Sequence, residues 1–298
     1  MSYLFYNGNW DATLIPQDSH EMRAAERLLV KLLNSVYVEG TRQKIYLFVN
    51  EYMESYYRKM LSSPEWSHRM NGLYRTIDFQ LVALGESHLA KWSTKKTRTI
   101  EETYYLALLK IMVGKTTALQ LIKESTHEFS EYQNRALLLK LDNRQLQELV
   151  ENYSYLTRAA KLALIDVIGE KNHIIYQDFL LQQLSSEEES EIRIRILKSL
   201  ELIGFLQDYS AITVFLDSPH WEERMLATRL IGSFPLQQSG HYLLPMLEDS
   251  SWWVRSTAAR SVAKQKTGVE LLLNFKERTT DRFAMEIIDE QLLKGVIA

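Results

Sequence analysis

Three arginines, Arg193, Arg224 and Arg255, recur at one constant interval, and each opens a stretch that reads as an amphipathic helix. The stretches are Arg193–Gly204, Arg224–Gly232 and Arg255–Ala263, with Gly closing the first two. A fixed period of this size marks one supersecondary unit copied along the chain. A turn-forming cluster precedes each copy, and in two of them a Trp sits three places before the Arg, as in Asp217-Ser-Pro-His-Trp221-Glu-Glu-Arg224 and Asp249-Ser-Ser-Trp252-Trp253-Val-Arg255. The segment Ser-Ser-Pro-Glu-Trp66-Ser-His-Arg69 follows the same plan, and Arg69 lies six such intervals before Arg255. Weaker copies are expected at Arg158, at Thr103 and near Glu131, and Gly169 follows Arg158 at the distance at which Gly204 follows Arg193.

Eleven glycines and five prolines in 298 residues leave few breaks for strands, and helix formers recur throughout. The expected fold class is therefore all-α, an α-solenoid or superhelix of helix pairs with a period of about 31 residues. One helix pair cannot bury its apolar face alone; its neighbours on either side cover it. The organisation expected is a flexible N-terminal segment 1–18, an N-terminal helical cap 19–60, repeats over 61–282 and a capping helix over 283–298, in one continuous body. Asp18 is the expected N-cap of a helix through Met22, Leu29 and Leu32, ended by Gly40. A second helix then carries Ile45, Phe48, Tyr52 and Tyr56. Ala258 with Ala259, and Ala227 with Thr228, are the small residues that let helices approach closely.

The net charge is −3, and the absence of cysteine excludes disulfides and thiolate sites. Residues 1–150 carry 19 Lys and Arg against 17 Asp and Glu, and the remainder 16 against 21. Nucleic acid is thus not an expected partner, because neutralising phosphates takes clustered cations. No run of the ~18 apolar residues that a spanning helix needs is present, and the first residues do not read as an export signal. The expected location is the cytoplasm.

The turn, then Trp253-Val254-Arg255-Ser-Thr-Ala258-Ala259, resembles HEAT repeats, particularly the short variety of phycobilisome-lyase-type proteins. The resemblance is good over 150–282 and clear again at 61–79. With Tyr57-Arg58-Lys-Met-Leu, Ala163-Leu-Ile-Asp-Val-Ile-Gly169 and Asp281-Arg-Phe-Ala284, the chain is similar to a group of bacterial HEAT-repeat proteins. Those usually begin with a membrane-spanning helix and are often encoded beside a membrane glycosyltransferase. The resemblance implies a protein-binding scaffold or regulator that assists such an enzyme in exopolysaccharide synthesis, at the inner face of the membrane. Two other resemblances lead elsewhere, to the HEAT-like alkylpurine DNA glycosylases and to tetrapyrrole lyases or chaperones of the same short repeat.

Candidate residues follow from the register. Arg69, Arg158, Arg193, Arg224 and Arg255, with Asp217 and Asp249, read as a structural ladder in which each guanidinium bonds the acidic or turn residues before it or carbonyls of the adjacent unit, the other reading being a basic strip for an acidic partner. Trp66, Trp221 and Trp252 share one register and one edge, either a partner-binding stripe or packing of each ring over the next turn. Trp253 is expected to point another way and to be the exposed contact. Lys91, Trp92, Lys95, Lys96 and Arg98 form the compact basic stretch, a phosphate or headgroup contact or a solvated loop. The two His-Glu pairs, His20-Glu21 and His127-Glu128, lie too far apart for the iron site of HEAT-repeat dioxygenases, so no metal or cofactor is expected. No nucleophile with its base and no phosphate-cradling loop is found, and the expectation is a non-enzyme.

Overall fold

A computed structural model describes residues 14–35, 39–92, 99–124, 129–204 and 206–297. Among these the fold is all-α, with no β-strand. Contacts divide the chain into two units, Met1–Phe129 and Ser130–Ala298. The sequence reading places no boundary there.

The first unit contains α1 (Ser19–Ser35), α2 (Glu39–Tyr52), α3 (Glu54–Leu61), α4 (Trp66–Asp78), α5 (Val82–Trp92), α6 (Ile100–Met112) and α7 (Ala118–Glu124). Asp18 starts α1 by accepting the amides of His20 and Glu21 at 2.7 and 2.8 Å. Gly40 lies in the first turn of α2 and does not terminate α1, and Tyr56 belongs to α3. The core is formed where α4 packs on α3 and α6, with Tyr57, Leu61, Met70, Leu73 and Leu109 buried.

The second unit contains α8 (Glu131–Leu138), α9 (Asn143–Glu151), α10 (Arg158–Glu170), α11 (Gln177–Ser186), α12 (Ser190–Ile203), α13 (Ser210–Thr213), α14 (Trp221–Ile231), α15 (Leu236–Leu243), α16 (Trp252–Ala263), α17 (Gly268–Lys276) and α18 (Arg282–Ile297). Short 3₁₀ turns at Tyr153–Tyr155, Ile174–Tyr176, Val214–Asp217 and Pro245–Glu248 join or extend them. Reciprocal capping boxes start α8 (Ser130 with Gln133) and α9 (Asp142 with Gln145). In succession α8 packs on α10, α10 on α12, α12 on α14, α14 on α16 and α16 on α18. Ala227, Thr228, Ala258 and Ala259 are fully buried at these contacts.

The helices α4, α6, α8, α10, α12, α14 and α16 begin at Trp66, Ile100, Glu131, Arg158, Ser190, Trp221 and Trp252. Their spacing is not uniform: the step from Trp66 to Ile100 is the longest and that from Glu131 to Arg158 the shortest. The short step shifts the register of Arg158. It is the first residue of α10, whereas Arg69, Arg193, Arg224 and Arg255 are each the fourth of theirs. The fourth place of α10 is Lys161. Gly169 is consequently not the counterpart of Gly204. Gly204 has φ +72 and ends α12 in the left-handed conformation, whereas Gly169 lies inside α10 against Ser199.

Candidate interaction surface

The fourth-place arginines share one geometry. Nη1 of each guanidinium reaches back to two carbonyls of its own preceding turn. Arg69 donates to Ser63 and Pro64 at 3.3 and 2.6 Å, and Arg193 to Glu187 and Glu188 at 3.2 and 2.6 Å. Arg224 donates to Ser218 and Pro219 at 2.8 and 3.4 Å, and Arg255 to Asp249 and Ser250 at 2.7 and 3.2 Å. Nε of the first three then reaches forward to a carboxylate of the next turn or helix: Glu102 at 2.8 Å, Glu223 at 2.8 Å and Asp249 at 2.7 Å. These carboxylates are nearly or fully buried, and each arginine is mostly so. A buried charge pair of this kind holds its two helix ends in register, and losing one partner costs about 3–5 kcal/mol.

Two of the acceptors, Glu102 and Glu223, were missed by the sequence reading. Both occupy the third place of their helix, immediately before the arginine register, as in the adjacent Glu223-Arg224. At the same place in α18 stands Ala284, fully buried. Nε of Arg255 accordingly has no hydrogen-bond partner, and its guanidinium instead lies 5.1 Å from the Phe283 ring centre. Asp217, assigned to the ladder from sequence, is exposed and accepts nothing from Arg224, whose acid is Asp249. Arg158 is exposed and pairs with Glu189 at the surface, Nε to Oε1 at 2.7 Å.

Asp249 sits under opposing influences. Burial pushes its carboxyl up, but the bond from Arg224, the Ser251 amide and the charges of Arg224 and Arg255 together hold it below the ordinary value.

The tryptophans of this register are all partly exposed, Trp66 and Trp252 at 44% and Trp221 at 37%, as is the neighbouring Trp253 at 56%. Trp253 does not point away from the others. Its ring stacks on Trp221, with centroids 6.2 Å apart and planes 23° apart, and meets Trp252 edge-on at 4.8 Å. The start of α16 thus folds two indoles together, and the start of α14 brings a third onto them. Trp66, in the first unit, donates its indole N–H to Thr99 Oγ1 at 3.2 Å, tying the start of α4 to that of α6. Lys91 is exposed near the end of α5, which Trp92 completes; Lys95, Lys96 and Arg98 lie outside the described residues.

One cleft of about 640 Å³ opens in the second unit between the end of α9, the 3₁₀ turn Tyr153–Tyr155 and α11. Its lining includes Glu151, Tyr153, Lys161, Asp178, Phe179 and Glu187. Tyr153 is only 5% exposed, and its hydroxyl has no hydrogen-bond partner. Burial, with Glu187 and Glu189 nearby, raises the pKa of that phenol, so it stays neutral at physiological pH.

Among the described residues no group of three or more His, Asp or Glu is placed to hold a metal, and no helix is long and apolar enough to cross a membrane. His20 is exposed at the start of α1, and His127-Glu128 lies outside the described residues. No protein-family model matches the chain, and no curated protein matches it.

Proposed function

We propose that this chain is a non-catalytic α-solenoid of HEAT-like helix pairs that docks another protein through the edge carrying Trp221, Trp252 and Trp253. The single observation that carries the docking reading is the exposed cluster of three indoles, with Trp253 in contact with both Trp221 and Trp252. Large, stiff aromatic rings supply contact area at low entropic cost, and Trp leads the residues that dominate binding energy. The rings are already packed on one another, so little ordering remains to oppose association. The solenoid reading is supported by the succession of contacts within the second unit and by helix starts that recur at similar intervals from Trp66 to Trp252. Adopting the HEAT resemblance, the partner is a membrane glycosyltransferase of exopolysaccharide synthesis, met at the inner face of the membrane.

The test is affinity capture from the native host with the chain and its Trp253→Ala variant, compared with a Lys95→Ala, Lys96→Ala variant. The indole variant is expected to lose the partner and the lysine variant to keep it. Equal recovery by all three removes the proposed edge. A salt-sensitive shift on duplex DNA would transfer the reading to a nucleic-acid binder.

A further inference from the structure

We propose that the cleft between Glu151–Ser154 and α11 is a second binding site, which takes an arginine-bearing extended peptide, the guanidinium bonding Tyr153 Oη and the Glu187 carboxylate. The inference rests on the reading of this chain as a protein-binding molecule, but it uses a different surface from the indole edge.

The first observation is Tyr153, which lines the cleft and whose hydroxyl is buried without a donor or acceptor. A buried hydroxyl of this kind is nearly always satisfied by protein or by something that binds there. The second is charge. Glu151, Asp178 and Glu187 line the cleft; Oε1 of Glu151 accepts from Gln147 Nε2 at 2.9 Å and Oε1 of Glu187 from the Glu189 amide at 3.0 Å, but among the described residues none of the three has a cationic partner. Lys161 is the one cation of the described lining. It has no carboxylate partner there either, and its ammonium lies 5.0 Å from the centre of the Tyr153 ring. The third is the aromatic wall, where Phe179 meets Tyr153 edge-on with centroids 5.2 Å apart.

A guanidinium satisfies all three features at once. Its planar fork of N–H donors can serve a hydroxyl and a carboxylate together, and its face lies against an aromatic ring. An ammonium has the charge but neither the fork nor the flat face. Lys161 occupies the ring in the meantime as a weaker cation that the incoming side chain displaces. The cleft is open to solvent, and Gln182 and Gln183 are among its lining residues.

The probe is a fluorescein-labelled Gly-Ser peptide carrying spaced arginines, with lysine and glutamate versions, titrated against the full chain at physiological salt. The arginine peptide is expected to bind about tenfold more tightly than the lysine peptide, and the glutamate peptide not at all. Tyr153→Phe and Glu187→Gln should each weaken the arginine peptide about tenfold. Lys161→Met should tighten it, because the resident cation is gone. Tyr153→Phe should also unfold at higher denaturant than the parent, which separates lost binding from lost structure. Equal affinity of parent and Tyr153→Phe, or binding of the glutamate peptide, overturns the proposal, as does no arginine-peptide binding up to millimolar chain. Trp253→Ala should keep the peptide affinity unchanged; if it loses it, the site is not this cleft. A parent that binds the peptide while its Trp253→Ala variant still captures the host partner sinks the indole edge and leaves the cleft standing.

Discussion

Gly169 in α10 and Ser199 in α12 touch so closely that a β-carbon on the glycine would lie 2.8 Å from the serine Cα. The serine hydroxyl fits the same contact by donating to the Ile165 carbonyl at 2.8 Å. Gly232, at the equivalent twelfth place from the start of α14, meets Ser261 of α16 in the same way, its β-carbon position 2.5 Å from the serine Cβ. Gly169→Ala should therefore destabilise the chain by about 1–3 kcal/mol through overpacking, outweighing the ~1 kcal/mol that alanine gains in a helix. Gly40→Ala, with nothing near its β-carbon position, should be neutral or slightly stabilising. Urea unfolding midpoints of the two variants check the contrast, and equal shifts would remove the close-approach argument.

The Arg224–Asp249 pair predicts a specific acid sensitivity. The Asp249 carboxyl is held below its ordinary value, so it contributes stability above the unfolded carboxylate pKa of about 3.9. That contribution is lost as pH falls through the lower, folded value. Asp249→Asn should cost stability at neutral pH and less in acid, so the difference from the parent shrinks below pH ~4. Thermal unfolding followed across pH measures it; a difference that is constant with pH rules out ionisation as the origin.

Exposure should separate the two kinds of arginine. Arg224→Ala strands a nearly buried carboxylate and is expected to cost about 3–5 kcal/mol. Arg158→Ala breaks a pair that water screens and should cost no more than about 1 kcal/mol. If the two substitutions shift the unfolding midpoint equally, the fourth-place geometry has no special weight.

Phe283 covers the guanidinium whose Nε lacks an acceptor. Phe283→Ala should destabilise the α16–α18 contact by about 1–2 kcal/mol, combining lost ring contact and lost cation–π attraction. Phe283→Leu keeps much of the apolar area but not the π-face, so it should recover only part. Full recovery by leucine would show that area alone matters. Hydrogen exchange at the amides of α18 reads the effect locally.

The Trp221–Trp253 stack should be visible spectroscopically. Indoles at these distances couple, so Trp221→Phe should remove the stack's share of the far-ultraviolet circular dichroism couplet and leave that of Trp252–Trp253, whereas Trp253→Ala should remove both. A spectrum that responds to only one of them contradicts the stack.

Much of this was legible in the residues. The scarcity of Gly and Pro, the apolar periodicity and the recurring Trp-x-x-Arg register point to an all-helical chain, and the arginines at 69, 193, 224 and 255 do share one place in their helices. Arg158 misled because the starts of α8 and α10, Glu131 and Arg158, are closer together than any other successive pair in the series. The pattern of small residues around it still looks in phase. Glu102 and Glu223 were legible in principle, as acids immediately ahead of the arginine register, but a surface charge and a buried partner are written with the same letter. Adjacent tryptophans gave no hint of stacking, since α-helical geometry turns neighbouring side chains by about 100°, which by itself argues for divergence.

The order of residues alone thus determined that the chain would be helical, that helices would begin close to Trp66, Trp221 and Trp252, and that Arg69, Arg193, Arg224 and Arg255 would share one place. These follow from local forces, namely capping, propensity and the burial of one apolar stripe per helix. Tertiary structure decided which carboxylate each arginine meets, that Gly169 and not Gly204 marks a close approach, that Trp253 leans on Trp221, and that the Tyr153 hydroxyl is buried with no partner. Such outcomes depend on the distance between helices far apart in sequence, which is set by the packing of whole faces and not by any one segment.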